Sequence, residues 1–336
     1  MRLFLNHIRI NIMLYPLKFR PILKPTIWGG ERLISKDEEK TDGNTKIGES
    51  WEISAVQDHI SVVAEGPLAG NSLEELIEVY MGDLVGDKIY ETFGLEFPLL
   101  IKYIDANSDL SIQVHPDDAT AKERHHAYGK NEMWYIVDNK PESRIILGFK
   151  RNTDKQEFLS MLQDGNLNEI LNYEQVVKGD CFFVPAGTIH SICKGCFIAE
   201  IQQTSDITYR VYDYNRLDAN GAPRELHTEL AADIINYQRQ DGLRLDTRVH
   251  KNHHNEIISN PYFTVRKLLI DTEIDRDYFS FDSFVIYMCI DGEFSLIYDT
   301  DKTVTVHQGD TILLPAIFKQ VSLRPKKLST ILEILA

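Results

Sequence analysis

Four cysteines in a chain of 336 residues are too few for a disulfide framework. Cys193 and Cys196 make one C-x-x-C pair, but no second pair exists to complete a zinc ribbon. The pair falls on an expected hairpin rather than a helix N-terminus, so its role reads as structural. No apolar run reaches the length of a membrane span. Met1 to Leu14 contains Ile and Leu but is interrupted by Asn6, His7, Arg9 and Asn11, and no small-residue cleavage site follows. It reads as an N-terminal extension rather than a signal peptide. Basic residues are also in deficit: 36 Lys and Arg against 51 Asp and Glu give 36 − 51 = −15. That balance argues against a nucleic-acid partner and against an anionic membrane surface. A local cluster of Lys and Arg could still serve a phosphorylated small molecule. The expectation is a cytoplasmic protein, monomeric or weakly homo-oligomeric.

What is present is mostly short strands. Ser111-Ile-Gln-Val-His-Pro-Asp-Asp118 is a strand that stops at a proline. Alternation puts Ser111, Gln113 and His115 on one face, with Ile112 and Val114 on the other. Gly48 to Ser54 alternates with Glu49, Trp51 and Ile53 together. Trp28-Gly29-Gly30 reads as a turn and Lys36 to Lys46 as a charged loop. Capping boxes at Ser72–Glu75 and Thr153–Gln156 open helices. Leu226, Leu230 and Ile234 space a helix over 225–236. The polar stretch 241–260, with His250, His253 and His254, reads as a solvated linker, and further short strands follow it.

One internal echo organises these strands. Lys178-Gly179-Asp180 followed by Cys-Phe-Phe-Val-Pro185-Ala186 matches Gln308-Gly309-Asp310 followed by Thr-Ile-Leu-Leu-Pro315-Ala316. This is the habit of double-stranded β-helix (cupin) domains. The first copy continues to His190, whereas the second has Gln320 at the matching place. The fold expected is therefore mainly β: two cupin (jelly-roll) domains with helical insertions. The extension 1–14 precedes a catalytic cupin over 15–245 and a cupin-like domain without a metal site over 246–336.

Gln113, His115, Glu132 and His190 all fall at strand ends of the first copy and form a mixed nitrogen and oxygen donor set. Zinc accepts such a set, and iron or manganese would tolerate it. A satisfied polar core is the plainer reading, but it does not explain why ligand-type residues gather at strand ends. Glu200 points inward on its strand, able to bind a cation or move a proton. Arg210, sharing a strand face with Thr208 and Tyr212, could hold a phosphate or an oxyanion. An inward Glu200–Arg210 salt bridge without chemistry is an equal alternative. Lys102 interrupts an apolar run and Lys130 precedes Glu132 by two; each is a site lysine or an ordinary solvated one. His125 and His126 point apart on a helix and cannot form one ligand pair.

At Phe97 to Asp118 the sequence resembles type I mannose-6-phosphate isomerase, in its shorter bacterial form. Further matches are Lys24-Pro-Thr-Ile-Trp-Gly-Gly30, Gly48-Glu-Ser-Trp-Glu-Ile-Ser54, Gly129-Lys-Asn-Glu-Met-Trp-Tyr135, Val184-Pro-Ala-Gly-Thr-Ile-His190 and Thr208 to Arg216. The resemblance implies one zinc ion per chain on Gln113, His115, Glu132 and His190. It implies Arg210 as an active-site residue and places Glu200 and Lys130 in the site. It implies interconversion of mannose 6-phosphate and fructose 6-phosphate through a cis-enediol. Glu200 is the first candidate base, with a hydroxide at the metal as its rival, and Lys102 and Lys130 are candidates to steer the phosphate. Gly129 stands where some members carry a histidine, which puts a relay through that histidine in doubt. Two other readings stay open: another metal-dependent cupin enzyme, and a non-catalytic sugar-binding or regulatory cupin.

Overall fold

A computed structural model describes residues 13–34, 46–217 and 221–336. Most of the expected N-terminal extension, and the charged loop apart from Lys46, lie outside the described residues. Leu14 is inside them and is buried, so the fold begins within the stretch read as an extension. No helix among the described residues is long and apolar enough to cross a membrane.

The first cupin is built from two antiparallel sheets. The seven-stranded sheet runs Arg244–Leu245, Cys181–Val184, Glu132–Asn139, Cys196–Gln203, Leu99–Asp105, Ile47–Ile53, Ile22–Gly30. The five-stranded sheet runs Leu171–Gln175, Arg144–Phe149, His190–Ile192, Ile112–Val114, Tyr209–Tyr212. Between them lies a core including Trp28, Ile104, Trp134, Leu147, Phe182 and Ile198. The second cupin is one eight-stranded sheet whose longest members are Val285–Tyr298 and Gln320–Leu335. Its interior holds Leu268, Tyr278, Tyr287, Phe294 and Leu323.

A separate core joins the two cupins. Ile53, Leu99, Ile101, Tyr103, Met133 and Ile201 come from the outer face of the seven-stranded sheet. They meet Phe263, Val265, Phe284, Ile286, Leu332 and Ile334 of the second cupin. This explains why every residue of Leu99–Asp105 is buried. One face looks into the first cupin and the other into the junction, so the strand reads as apolar except at Lys102 and at Asp105 at its end. Leu17–Lys18 also pairs with Thr311–Leu314, so the start of the described chain is stitched into the second cupin's sheet.

Several expectations are corrected. Trp28 to Gly30 is the end of strand Ile22–Gly30, not a turn. A Cβ on Gly29 would meet the backbone nitrogen of Gly48 at 2.5 Å, so the glycine serves a close strand approach. Ser72 forms its capping box on Leu73–Tyr80 as expected. The later helix, Lys155–Gln163, is instead capped by Asp154, whose carboxylate accepts from the Glu157 amide. The helix expected over 225–236 is Thr228–Ile234; Ala231 and Ala232 are its buried residues, while Leu226 and Leu230 stay exposed. The expected linker carries strands Arg244–Leu245 and His254–Ser259, each paired into a sheet. Its polarity reflects edge strands with one wet face.

Candidate metal and active site

The strand Ile112–Val114 behaves as its alternation predicts. Ile112 and Val114 pack outward against the helical insertion, among Phe158, Ala231 and Ala232. Gln113 therefore points between the sheets. His190 sits directly opposite it on the neighbouring strand, with Gln113 Nε2 and His190 Nε2 3.4 Å apart. His115 follows the strand, and its Nδ1 meets the Ile207 carbonyl at 2.7 Å. His190 Nδ1 meets the Thr188 carbonyl at 2.8 Å. Each Nδ1–H is thereby committed to a carbonyl, and each Nε2 is left as an acceptor facing the cleft.

Glu132, from the opposite sheet, completes the group. Its Oε1 lies 3.3 Å from His115 Nε2, and its Oε2 3.8 Å from His190 Nε2. One donor atom from each of the three residues falls within 4.8 Å of the others. Neither Glu132 oxygen has a hydrogen bond among the described residues. The Lys130 ammonium, 2.7 Å from Oε1, makes an ion pair outside hydrogen-bonding geometry. A buried carboxylate without hydrogen bonds is costly unless a cation answers it. Burial, followed by Lys130, pushes His115 down to about 3, so its ring is held neutral in ligand form. Burial acts to raise Glu132, but the Lys130 charge holds it well below the usual carboxylate range. Two neutral imidazoles and one carboxylate suit a divalent metal ion, with the Gln113 side chain beside them.

A second polar group lies beside the first. Glu200 stands opposite Lys102 in the strand register and ion-pairs with it at 3.3 Å. The expected alternative, an inward Glu200–Arg210 bridge, is therefore not formed. Lys102 also lies 3.4 Å from Glu49, which accepts from Trp51 Nε1 at 2.7 Å. Trp134 Nε1 donates to Glu200 at 2.9 Å. Burial, then the nearby Glu132 charge, raises Glu200 above the ordinary carboxylate range, against Lys102. Burial alone would lower Lys102; Glu49 and Glu200 reverse that and keep it charged. Its charge is thus shared between two carboxylates.

Lys102, Gln113, Lys130, His190, Glu200 and Arg210 line one cleft together with Trp28, Trp51 and Trp134. Arg210 pairs in register with Gln113, and its Nη1 donates to the Glu225 carbonyl at 2.9 Å. Its buried Nε has no hydrogen-bond partner. Arg224 lines the same cleft and is clamped by Asp213 at 2.7 and 2.6 Å. Arg216 grips the same carboxylate at 2.5 Å. Two guanidiniums on one carboxylate, with Arg210 beside them, leave a cationic wall on an acidic protein. Burial, then the charge of Arg224, lowers Arg210.

The sequence reading missed Arg224 and the roles of Glu49, Trp51 and Trp134. The alternation at Glu49 and Trp51 was a signal, but Ile53 does not share their face. A register shift after Trp51 sends it into the junction between cupins. Of the remaining candidates, His125 meets the Tyr209 hydroxyl at 2.7 Å and His254 lies against Arg276, both outside the cleft. Cys193 and Cys196 are buried free thiols, each pushed up to about 12 by burial, which leaves them unreactive. Gly129 is required sterically: a Cβ there would lie 2.4 Å from the Asp118 backbone nitrogen, so no histidine fits.

Residues 17–153 match the phosphomannose isomerase type I catalytic domain, and residues 253–331 match the mannose-6-phosphate isomerase cupin domain. The chain is 37% identical to mannose-6-phosphate isomerase ManA of Bacillus subtilis over 318 residues, covering 89% of this chain and 93% of that protein. It is 33% identical to mannose-6-phosphate isomerase of Streptococcus mutans over 315 residues, covering 91% and 94%. The crystal structure of the mannose 6-phosphate isomerase from Bacillus subtilis superposes with a TM-score of 0.85 at 36% identity, covering 96% of this chain and 99% of that one. The fold extends to phosphomannose isomerase from Salmonella typhimurium, with a TM-score of 0.76 at 15% identity over 96% and 99% of the two chains. With both domains matched and relatives aligned along nearly its whole length, the chain belongs to the type I mannose-6-phosphate isomerase family of enzymes.

Proposed function

We propose that this enzyme interconverts mannose 6-phosphate and fructose 6-phosphate through a cis-enediol, using one zinc ion held by Gln113, His115, Glu132 and His190. The observation that carries the reading is the buried His115–Glu132–His190 cluster in a cleft whose wall bears Arg210 and Arg224. When bound, zinc supplies Lewis acidity toward the developing charge on O1 and O2 without a change of oxidation state. Glu200 takes the proton from C2 of the aldose and returns it to C1, while the O2 hydroxyl proton is given up and O1 gains one; reversal of these transfers gives the aldose again. Its raised proton affinity suits that exchange, and Lys102 with Trp134 fixes where its oxygens point. Lys130 adds positive charge beside the ligands. Arg210 and Arg224 meet the negative charge of the enediol and of the phosphate. Lys102, being shared by two carboxylates, serves Glu200 in this reading rather than the phosphate.

The test is an isomerase assay with mannose 6-phosphate before and after chelation. Fructose 6-phosphate should form, stop forming after the chelator, and return with zinc. A fully zinc-loaded protein that yields no fructose 6-phosphate would overturn the reading. For the phosphate wall, Arg224→Ala should raise KM for mannose 6-phosphate about tenfold or more, in line with loss of one charge-assisted contact.

A further inference from the structure

Glu132 and Lys130 flank a side chain with no chemistry of its own. Asn131 is buried, and both ends of its amide are used. Its Oδ1 accepts from the Ala186 amide at 3.0 Å, in the turn that leads to His190. Its Nδ2 donates to Gln203 Oε1 at 2.7 Å, and its backbone N–H donates to the same oxygen at 3.0 Å. Gln203 Nε2 in turn donates to Asp118 Oδ1 at 3.0 Å. That oxygen also accepts from the Gly129 amide at 2.8 Å. Backbone bonds close the ring: Gly187 N–H to the His115 carbonyl at 2.9 Å, and Lys130 N–H to the Pro116 carbonyl at 3.0 Å.

The network therefore ties together the segments that deliver His115, Glu132 and His190. These come from two different sheets, and none is adjacent to another in sequence. Outside the network stands one residue of the second cupin. The side chain of Tyr262 lies against Asp118 and Asn131. Tyr262 is held in its turn by Asn260 Oδ1, which accepts from the amides of Tyr262 and Phe263 at 2.8 and 3.0 Å. Phe263 is anchored in the junction core between the cupins.

We propose that Asn131 and Gln203 are positioning residues that set the spacing of the metal ligands, and that the second cupin braces them through Tyr262. The inference rests on the metal reading of His115, Glu132 and His190. It gives the second cupin a part in the site although it donates no ligand. Hydrogen-bonded groups behind metal ligands fix their orientation, and their loss weakens metal affinity by about 10- to 100-fold. Replacing Asn131 would orphan the Ala186 amide and loosen Gln203 at once.

The experiment uses Co2+ as probe on the full chain, first freed of metal with chelator. Its Kd is measured by competition with a chromophoric chelator, alongside the visible spectrum of the Co2+ protein. Tyr262→Phe keeps the ring and its packing and removes only the hydroxyl. It should weaken Co2+ binding several-fold while the Tm of the metal-free protein stays put. Asn131→Ala and Gln203→Ala should each weaken it by roughly 10- to 100-fold and alter the spectrum. In combination, Asn131→Ala and Gln203→Ala should cost less than the product of the two, because they act through one network. Should Asn131→Ala not fold, Gln203→Ala and Tyr262→Phe carry the test. Unchanged Co2+ affinity and spectrum in these variants would overturn the proposal and leave the metal reading standing. Failure of the unmutated chain to bind Co2+ would overturn both.

Discussion

The two cupins bury the same pattern of side chains and answer its charge differently. In the first, the register across four strands reads Phe182, Trp134, Glu200, Lys102. In the second it reads Ile312, Tyr287, Glu333, Arg266. The sequence echo aligns Phe182 with Ile312, so the alignment and the hydrogen-bond register agree. An inward glutamate flanked by an aromatic and a cation recurs at the same depth. The metal position does not. Glu132 pairs with Val184 in the first cupin; Val285 pairs with Leu314, its counterpart, in the second. The His190–Gln113 pair has its counterpart in Val321–Arg276. Gln320, matched to His190 by the echo, is exposed, and Val321 points inward in its stead.

Arg276 shows what stands in place of the His–Glu–His cluster. Its Nε and Nη2 each donate to a Glu333 oxygen at 2.7 Å, and the hydroxyl of Tyr278 reaches the same carboxylate. Glu333 is fully buried and well supplied with donors, whereas the Glu132 oxygens have none. A buried carboxylate must be compensated. The second cupin does so with guanidiniums, one of them hydrogen-bonded to both oxygens, which seals its interior. In the first, Lys130 supplies charge 2.7 Å from Glu132 Oε1 but hydrogen-bonds neither oxygen, and both stay open toward His115 and His190. One fold thus gives a scaffold or an open cluster according to whether its buried carboxylate is fully hydrogen-bonded by the chain.

The largest expected effect comes from breaking the open version. Glu132→Ala should lose metal and activity together, with turnover falling roughly a thousandfold or more, beyond the loss of one electrostatic donor. Arg210→Ala should lose about 10²- to 10³-fold in turnover with metal retained, since Arg210 donates no ligand. Metal analysis beside the assay separates the two, and metal loss from the Arg210 variant would remove its assigned role. Breaking the sealed version should do the reverse. Arg276→Ala removes the two shortest guanidinium bonds to buried Glu333, leaving Arg266 at 3.3 Å and the Tyr278 hydroxyl, and should cost about 3 kcal/mol in denaturant unfolding. Turnover per folded molecule should stay near that of the unmutated chain. The paired change Arg276→Met with Glu333→Leu should recover most of the lost stability; if it unfolds the protein as badly as Arg276→Ala, charge compensation is not what the pair supplies.

Much of this was legible in the sequence because it is local. Gln113 and His115 share a face by strand alternation, and His190 follows a Pro-Ala-Gly turn that a single copy displays. The two-cupin architecture could be read from nine residues repeated once. What stayed hidden depends on register between distant strands. Glu200 faces Lys102 rather than Arg210 because of the order of neighbouring strands, which no periodicity reports. Arg224 enters the cleft from a loop, and Asn131 matters only through partners more than fifty residues away. Leu226 and Leu230 misled because Leu226 lies before the helix, and the short helix buries its alanines and leaves Leu230 exposed.

A third carboxylate offers the mildest test of the comparison, because it belongs to the junction rather than to either interior. Glu52 is buried with one hydrogen bond, from Ser50 Oγ at 2.5 Å. Burial, against Ser50 and with the charge of Asp310 from the second cupin, raises its pKa to about 7. In the folded protein it therefore holds a proton that the unfolded chain has released by about pH 5. Stability should be highest below the unfolded pKa and fall as pH rises toward 7, because the native state then binds the extra proton. The loss should be on the order of 2–3 kcal/mol and complete above about pH 8. Glu52→Gln keeps the shape and carries no charge to desolvate. It should match the unmutated chain at pH 5 and exceed it at pH 8 by that amount, read from urea unfolding midpoints at both values. A variant that gains nothing at pH 8 would mean that Glu52 ionises in the junction without cost. The second cupin would then cover the first through a looser, wetter contact than its apolar core implies.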